Sequence, residues 1–406
     1  MLSEHTINVV KSTVPLIEEA SDTLTDHFYQ RMFAHNPELK DVFNMSNQRS
    51  GRQRAALYDA IAAYARNLDN LAVLKSAVER IAQKHSSFYI EPHQYQIVGH
   101  HLIETLRELL GEALTEEVES AWGEAYGFLA DIFITREEAI YRSSYDADGG
   151  WRGRRKFALV EKRLESDWVK SLVFEPVDKG PVMDFKPGQY LGIEVSPPEE
   201  ENIEIRQYSL SSRSNGERYQ ISVKREGIDH PGVVSNFLHD DLRLGDEVNL
   251  LPPCGDFHYV ERQAPTVLIS AGVGLTPMQS MLETLYDQHV QQPVVYLHAC
   301  NHPGEHSFQR SLAKMLGSQH ASEQGWTGHI WYLERKEVSG ESVPGIQVHS
   351  ELMDLASISD SLYLDDAHFY VCGPVPFMGF VKQQLLSLAV SEDRIHYEVF
   401  GPHEAL

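Results

Sequence analysis

IAQKHSSFYIEPHQY, residues 81–95, decides how the first third of the chain is read. Leading into it, Leu71, Leu74, Ala77, Val78, Ile81, Ala82 and His85 recur at steps of three and four, which places them on one helix face. A histidine that ends an apolar stripe is usually an ordinary core residue in need of a hydrogen-bond partner. Pro92 then opens a second helix, on which Tyr95, Val98, Leu102, Leu106 and Leu109 form a face of their own. Where two such faces meet, the Tyr95 hydroxyl comes near the His85 ring. A metal-bound imidazole needs that kind of partner on its other nitrogen. Glu137, at the end of the helical region, can complete a Tyr–His–Glu network. Periodicity alone leaves His93, His100 and His101 as alternatives.

At 406 residues the chain is too long for one ordinary core, so two or three domains are expected. Residues 1–142 read as helices only, an all-α domain. Asn36-Pro37 and Thr115 with Glu116 and Glu117 supply helix starts. The small, polar SSYDADGGWRG (143–153) suggests a linker, taken as 143–150. Beyond it KFALVEKRL, WVKSLVFEPV, QYLGIEVS, IRQYSLSS, RYQISVKRE and DEVNLLPP read as short strands, and predict an antiparallel β-barrel over 151–262. From 263 to 406, TVLISAG, PVVYLHAC, TGHIWYLER, HFYVCGP and IHYEVFG alternate with helical stretches. They predict an α/β domain with a parallel sheet covered on both faces.

Composition removes several function classes. With 59 acidic against 35 basic residues and a net charge of −24, the surface repels phosphate backbones, which argues against a nucleic-acid partner. Cys254, Cys300 and Cys372 form no CxxC pair, so neither a disulfide framework nor a zinc site is expected, and a reducing, cytoplasmic setting fits. The N-terminus does not read as a signal peptide. No apolar run reaches the roughly 18 to 20 residues that cross a bilayer.

Two further constellations suggest cofactors. PGQYLG (187–192) precedes IRQYSLSS (205–212). In it Arg206 can pair with a phosphate, Tyr208 can lie against an isoalloxazine, and Ser209 can bond its reactive edge. Tyr190 and Gln207 are grouped with them. In HPGVVSNFLHD (230–240), Gly232, Val233, Val234 and Ser235 open a helix whose free amides can hold pyrophosphate. VLISAGVGLTPMQSML (267–282) is a buried strand, a glycine turn and a helix, with Gly272, Val273, Gly274, Leu275, Thr276 and Pro277 at the turn. FYVCGPVPFM (369–378) supplies a second such turn at Cys372, Gly373 and Pro374. The barrel and paired turns resemble the ferredoxin-reductase family, which implies FAD and a nicotinamide cofactor, NADH or NADPH.

With HFYQRMFAHNPELKDVFNMSNQ (27–48), Gln53 with Leu57, IAQKHSSF (81–88) and AWGEAYGFLADIFITREEAIY (121–141), the whole chain resembles a flavohaemoglobin. That resemblance implies haem b held by His85 as proximal ligand, with Tyr95 and Glu137 as its relay. It implies Tyr29, Gln53 and Leu57 on the distal side and Phe43 packed on the haem. A phenol at Tyr29 can donate to an oxygen ligand carrying partial negative charge. The resemblance places Lys84 facing the flavin. It also returns EVFGP (Glu398, Val399, Phe400, Gly401, Pro402) to the flavin, with Phe400 near the ring.

The activity implied is nitric oxide dioxygenation, NO and O2 becoming nitrate at a haem reduced by NAD(P)H through FAD. A flavin between a two-electron donor and a one-electron acceptor gives that domain order a physical rationale. The competing readings are reduction of alkyl or lipid hydroperoxides at the same haem, and an O2-storing or O2-sensing globin. A sensor has no need of residues 151–406. The expected partners are small molecules, the expected state is a monomer, and a lipid in the distal pocket is compatible with the same sequence.

Overall fold

The computed structural model describes residues 2–19, 21–43, 52–227, 232–334 and 344–401. In the first third the described residues form α1 (Glu4–Glu19), α2 (Ser21–His35), α3 (Arg52–Arg66), α4 (Lys75–Ser86), α5 (Pro92–Leu110) and α6 (Glu116–Asp146). The starts follow from local chemistry. Glu91 and Gln94 form a capping box that spans Pro92, and the Thr115 hydroxyl accepts from Val118 N. Two expectations shift. Asn36-Pro37 opens a 3-10 turn, Pro37–Asp41. Leu71 and Leu74 stand on another, Leu71–Leu74, so the α-helical stripe begins only after it. The core gathers Leu24, Phe28, Met32, Leu102, Leu106 and Trp122, each under 5% exposed. Two of the buried polar side chains there are paired: Trp122 Nε1 donates to Thr13 Oγ1 at 2.9 Å, and Tyr64 Oη donates to Ala125 O at 2.7 Å.

The stretch read as a linker from residue 143 is helical as far as Asp146. Burial explains the difference: Glu137, Ile140, Tyr141 and Ser144 continue one inward stripe, and Ser144 is small enough to close it. The helix breaks at Ala147, which is extended (φ −69°, ψ 149°), and two residues on Gly149 takes a φ of +68° that is disfavoured for residues with a Cβ.

Six antiparallel strands follow: β1 (Arg155–Leu164), β2 (Val169–Pro176), β3 (Tyr190–Val195), β4 (Glu204–Ser209), β5 (Tyr219–Lys224) and β6 (Glu247–Leu250). Their order is β4-β3-β6-β1-β2-β5. The Leu210–Ile221 bridge joins the two outer strands, so the sheet closes on itself. Phe157, Leu172, Phe174, Leu191, Ile193 and Tyr219 fill the interior, each fully buried. Helix α7 (Val233–Asp240) packs beside β5.

The last unit is a parallel sheet ordered β10-β9-β8-β7-β11-β12. Its strands are β7 (Thr266–Ala271), β8 (Val294–Cys300), β9 (Thr327–Tyr332), β10 (Ile346–His349), β11 (His368–Cys372) and β12 (Ile395–Glu398). Five of these are the predicted strands. The sixth, β10, is a four-residue edge strand with no buried residue, so it carries no apolar run to read. Helices α8 (Leu275–Asp287), α9 (Gln309–Leu316), α10 (Gln319–Glu323) and α11 (Val375–Ser387) complete the α/β unit. No helix among the described residues is long and apolar enough to cross a membrane.

Candidate active site

His85 stands at the last turn of α4, where its ring meets α5 and α6. Its Nδ1 lies 2.8 Å from Glu137 Oε1 and 2.8 Å from Tyr95 Oη. Tyr95 Oη in turn donates to Glu137 Oε1 at 2.5 Å. A carboxylate only accepts, so Nδ1 carries the imidazole proton and Nε2 keeps a lone pair. Burial, and then the Glu137 charge, push the Tyr95 hydroxyl well above the usual tyrosine range, so it stays a donor. Glu137 itself is 2% exposed. Phe133, Ala82, Val78 and Ile81 make the walls apolar. Among the described residues nothing hydrogen-bonds His85 Nε2, and this donor set fits a haem iron.

The alternatives fall away on geometry. Both nitrogens of His101 are engaged, Nδ1 by Arg31 Nη1 at 2.9 Å and Nε2 by Asn36 Oδ1 at 2.8 Å. His93 and His100 are exposed.

Tyr29 is 5% exposed on α2 and framed by aromatic rings, Phe33 stacked at 5.9 Å and Phe43 edge-on at 5.9 Å. Leu57 packs against the same cluster from α3. Gln53 belongs to α3, but its side chain lies outside the described residues. Leu129 packs against both this cluster and the one around His85, so the two adjoin.

In the barrel, β3 and β4 pair so that Tyr190 faces Ser209, Leu191 faces Tyr208 and Ile193 faces Arg206. Arg206 and Tyr208 therefore share one face, and Tyr190, Gln207 and Ser209 share the other. Arg206 Nη1 lies 2.7 Å from Glu204 Oε2, an in-strand partner for the cation expected on phosphate. Gln207 Nε2 instead reaches the helical unit, donating to Ser87 Oγ at 3.0 Å. Gly232 is the N-cap of α7, whose first-turn amides at Val233, Val234 and Ser235 lack intrahelical partners and can hold an anion.

The two glycine turns of the last unit come together. In the parallel register Cys372 lies opposite Ser270, so Gly272–Gly274 and Gly373-Pro374 sit side by side at the carboxyl ends of β7 and β11. That is where strand order reverses, β8 to β10 running one way and β11–β12 the other, the usual crevice for a nucleotide. Gly272 has φ +53°, and a Cβ there would meet nothing within 4 Å, so the backbone is open to a ligand. Leu275, Thr276 and Pro277 form the buried first turn of α8. Cys372 is fully buried, and burial holds its thiol well above the usual range.

The third meeting point joins all units. Lys84 Nζ donates to Gly401 O. Burial lowers the Lys84 pKa, opposed by the Glu398 charge. Burial and Asp256 push Glu398 up to about 7, with Lys84 and Arg80 pulling the other way. Val399 is buried and Phe400 is 44% exposed. Pro402 lies outside the described residues. Sequence reasoning missed the partners on the barrel side: Gln83 Oε1 accepts from Gly255 N at 2.9 Å, and Arg80 faces Asp256 at 3.7 Å. These residues are more than 170 positions apart, and no local pattern pairs them.

An imidazole poised for haem in a helical unit, a closed barrel with an anion-ready helix start, and paired glycine turns at a switch point together define a haem–flavin–nicotinamide oxidoreductase. Comparison with known proteins agrees. Residues 26–133 match the globin family, 156–259 the oxidoreductase FAD-binding domain, and 268–383 the oxidoreductase NAD-binding domain. A flavohemoprotein of Vibrio cholerae serotype O1 is 54% identical over 408 residues, spanning all of both chains. The crystal structure of a flavohemoglobin from Malassezia yamatoensis, with bound FAD and heme, superposes with a TM-score of 0.83. It is 25% identical and covers 98% of this chain and 100% of its own. The FAD/NAD-binding domain of a nitric oxide dioxygenase from Vibrio cholerae O1 biovar El Tor is 48% identical, with TM-score 0.56 over 62% of this chain and 100% of its own. The chain belongs to the flavohemoprotein family: a globin joined to FAD- and NAD-binding reductase units, and an NAD(P)H-dependent oxidoreductase.

Proposed function

We propose that the chain is a nitric oxide dioxygenase, turning NO and O2 into nitrate at the expense of NAD(P)H. The observation that carries the reading is the His85–Tyr95–Glu137 network, on a chain that also holds its own reductase. The full-length likeness to a flavohemoprotein, and the 48% identity of the reductase half to a protein described as a nitric oxide dioxygenase, support it.

When bound, haem supplies a one-electron iron centre for diatomic ligands, FAD a two-to-one electron converter, and the nicotinamide a hydride. The residues supply the rest. Glu137, held by the Tyr95 hydroxyl, accepts the Nδ1 proton of His85 and makes Nε2 a stronger electron donor, which favours O–O activation. Tyr29 offers a phenol in an apolar pocket where Phe33, Phe43 and Leu57 exclude water, and Gln53 acts with it. Tyr190, Arg206, Gln207, Tyr208 and Ser209, with the start of α7, hold the flavin. The turns at Gly272–Pro277 and Cys372–Pro374 hold the nicotinamide. Lys84 and Glu398, with the Val399–Pro402 tail, set the charge between haem and flavin.

The test is NADH-driven turnover of the full chain under air. Nitric oxide should disappear with nitrate formed one for one, at a rate well above NADH-driven loss of an alkyl hydroperoxide. Faster hydroperoxide loss, or binding of O2 without NADH oxidation, would overturn the reading.

A further inference from the structure

The segment that leaves the helical unit has almost no slack. Helix α6 ends at Asp146, and by Trp151 the chain is already fixed in the barrel. Trp151 is 7% exposed in the barrel core, and its Nε1 donates to Gly153 O at 3.0 Å and Leu250 O at 3.3 Å. The next residue, Arg152, turns the opposite way, onto the helical unit. Its Nη1 and Nη2 donate to Glu138 Oε1 at 2.8 Å and Oε2 at 2.7 Å, a bidentate fork. Its Nε donates to Tyr89 Oη at 3.1 Å. Its guanidinium also lies over the Tyr141 and Tyr89 rings, 5.3 and 5.9 Å from their centroids.

Each of those contacts sits beside the haem-side network. Glu138 follows Glu137 on α6. Tyr89 lies in the turn just after the His85 helix. Tyr141 Oη donates to Ile90 O at 2.9 Å, tying that turn to α6. Arg152, Glu138 and Tyr141 border a crevice whose lining includes Glu137. Gly153 fits against the Tyr89 ring, 3.4 Å from where a Cβ would stand. On the facing barrel strand a Cβ on Gly192 would come within 2.2 Å of Ser87 O, so barrel and helical unit touch at backbone distance.

An exposed ion pair by itself contributes little. This one combines a fork, a third hydrogen bond and two aromatic faces on one planar cation, next to a buried anchor. We propose that Arg152 is a positioning residue that locks the barrel onto the proximal face of the globin, so that the flavin and haem sites are held at a fixed separation. The proposal rests on the haem–flavin reading of the site and adds a device to it: the two units work as a docked pair, with little tethered search.

The test compares wild type with Arg152→Ala, Arg152→Lys and Glu138→Gln in full-length protein carrying haem and flavin. The first readout is amide hydrogen exchange. In Arg152→Ala, residues 87–91 and 150–154 should exchange about tenfold faster, while the core of α2 and α5 stays as in wild type. The second splits the electron path. NADH-driven reduction of ferricyanide should be unchanged, and anaerobic reduction of the ferric haem by NADH should slow about tenfold or more, as misplacement by an ångström can do. Each NADH carries two electrons and each ferric haem accepts one, so rates are compared per electron. Arg152→Lys keeps the charge without the fork and should fall between. Glu138→Gln should follow Arg152→Ala in direction. Exchange and haem reduction within twofold of wild type in Arg152→Ala would overturn the proposal. So would equal slowing of ferricyanide reduction, which would place the effect inside the flavin site. A wild type that leaves its haem oxidised under NADH would overturn the underlying reading, and the proposal with it.

Discussion

The helical unit and the nicotinamide unit position chemistry in opposite ways. Around His85 the working atoms are side chains from three helices, at positions 85, 95 and 137, brought to within 2.8 Å of one another. At the glycine turns the working atoms are backbone, brought together because β7 and β11 are neighbours in register. Side-chain constellations tolerate backbone variation but fail when one functional group is lost. Backbone constellations tolerate side-chain variation but fail when a single carbon is added.

The sharpest way to break that comparison is His85→Ala. It removes the only nitrogen set up for iron in this network, so haem content should collapse and the Soret band with it. Flavin content and NADH–ferricyanide reduction should stay near wild type, because among the described residues that ring's partners, Tyr95, Glu137 and Phe133, all lie in the helical unit. Retention of a normal Soret band would show that another ligand holds the haem. His101 is not a candidate, since both its ring nitrogens are already engaged.

The same contrast governs what could be read from sequence. The glycine turns are contiguous stretches, so strand, turn and helix were all legible, and five strands of the parallel sheet with them. The network on His85 was legible only in part. Periodicity put His85 and Tyr95 on inward faces but left three other histidines open, because a helix face does not say which face it meets. The structure narrows the choice: Arg31 and Asn36 engage both nitrogens of His101, a contact across 65 to 70 residues, and His93 and His100 are exposed. The turn of α6 past residue 143 was missed because Ser and Tyr carry no strong helix signal, while tertiary burial of Tyr141 and Ser144 keeps them helical. The Arg152 clamp had no signal at all: GGWRG reads as a loop, and its partners are named only by the fold.

A middle-sized effect is expected from Gly274→Ala. A methyl there would stand 2.3 Å from Cys372 O and 2.6 Å from Gly373 N, both backbone atoms that cannot rotate away. Overpacking of this kind costs about 1–3 kcal/mol. The two turns should part, and the KM for NADH in ferricyanide reduction should rise about tenfold, equivalent to about 1.4 kcal/mol. Haem and flavin spectra should not change. An unaltered KM would mean that the nicotinamide does not use the space these turns share.

The smallest effect sharpens the comparison from the stability side. His298 and His306 are 0% and 3% exposed in the nicotinamide unit, with rings stacked 4.9 Å apart. Each has one partner, Ser270 Oγ at 2.9 Å for His298 and Tyr332 Oη at 3.1 Å for His306. Their Nε2 atoms are buried without a partner among the described residues. Burial holds His298 well below the usual histidine range and His306 down to about 4. Both are therefore neutral when folded, while the unfolded chain takes up protons below about 6.5. The stabilisation is fully present above that pH and is lost as pH falls toward 4, at up to about 1.4 kcal/mol per pH unit for each proton. Hydrogen exchange in β7 and β8, corrected for the intrinsic pH dependence of exchange, should report a loss of protection between pH 6.5 and 5. In His306→Asn that slope should shrink by about one proton. An unchanged slope would mean that His306 is not the group being titrated.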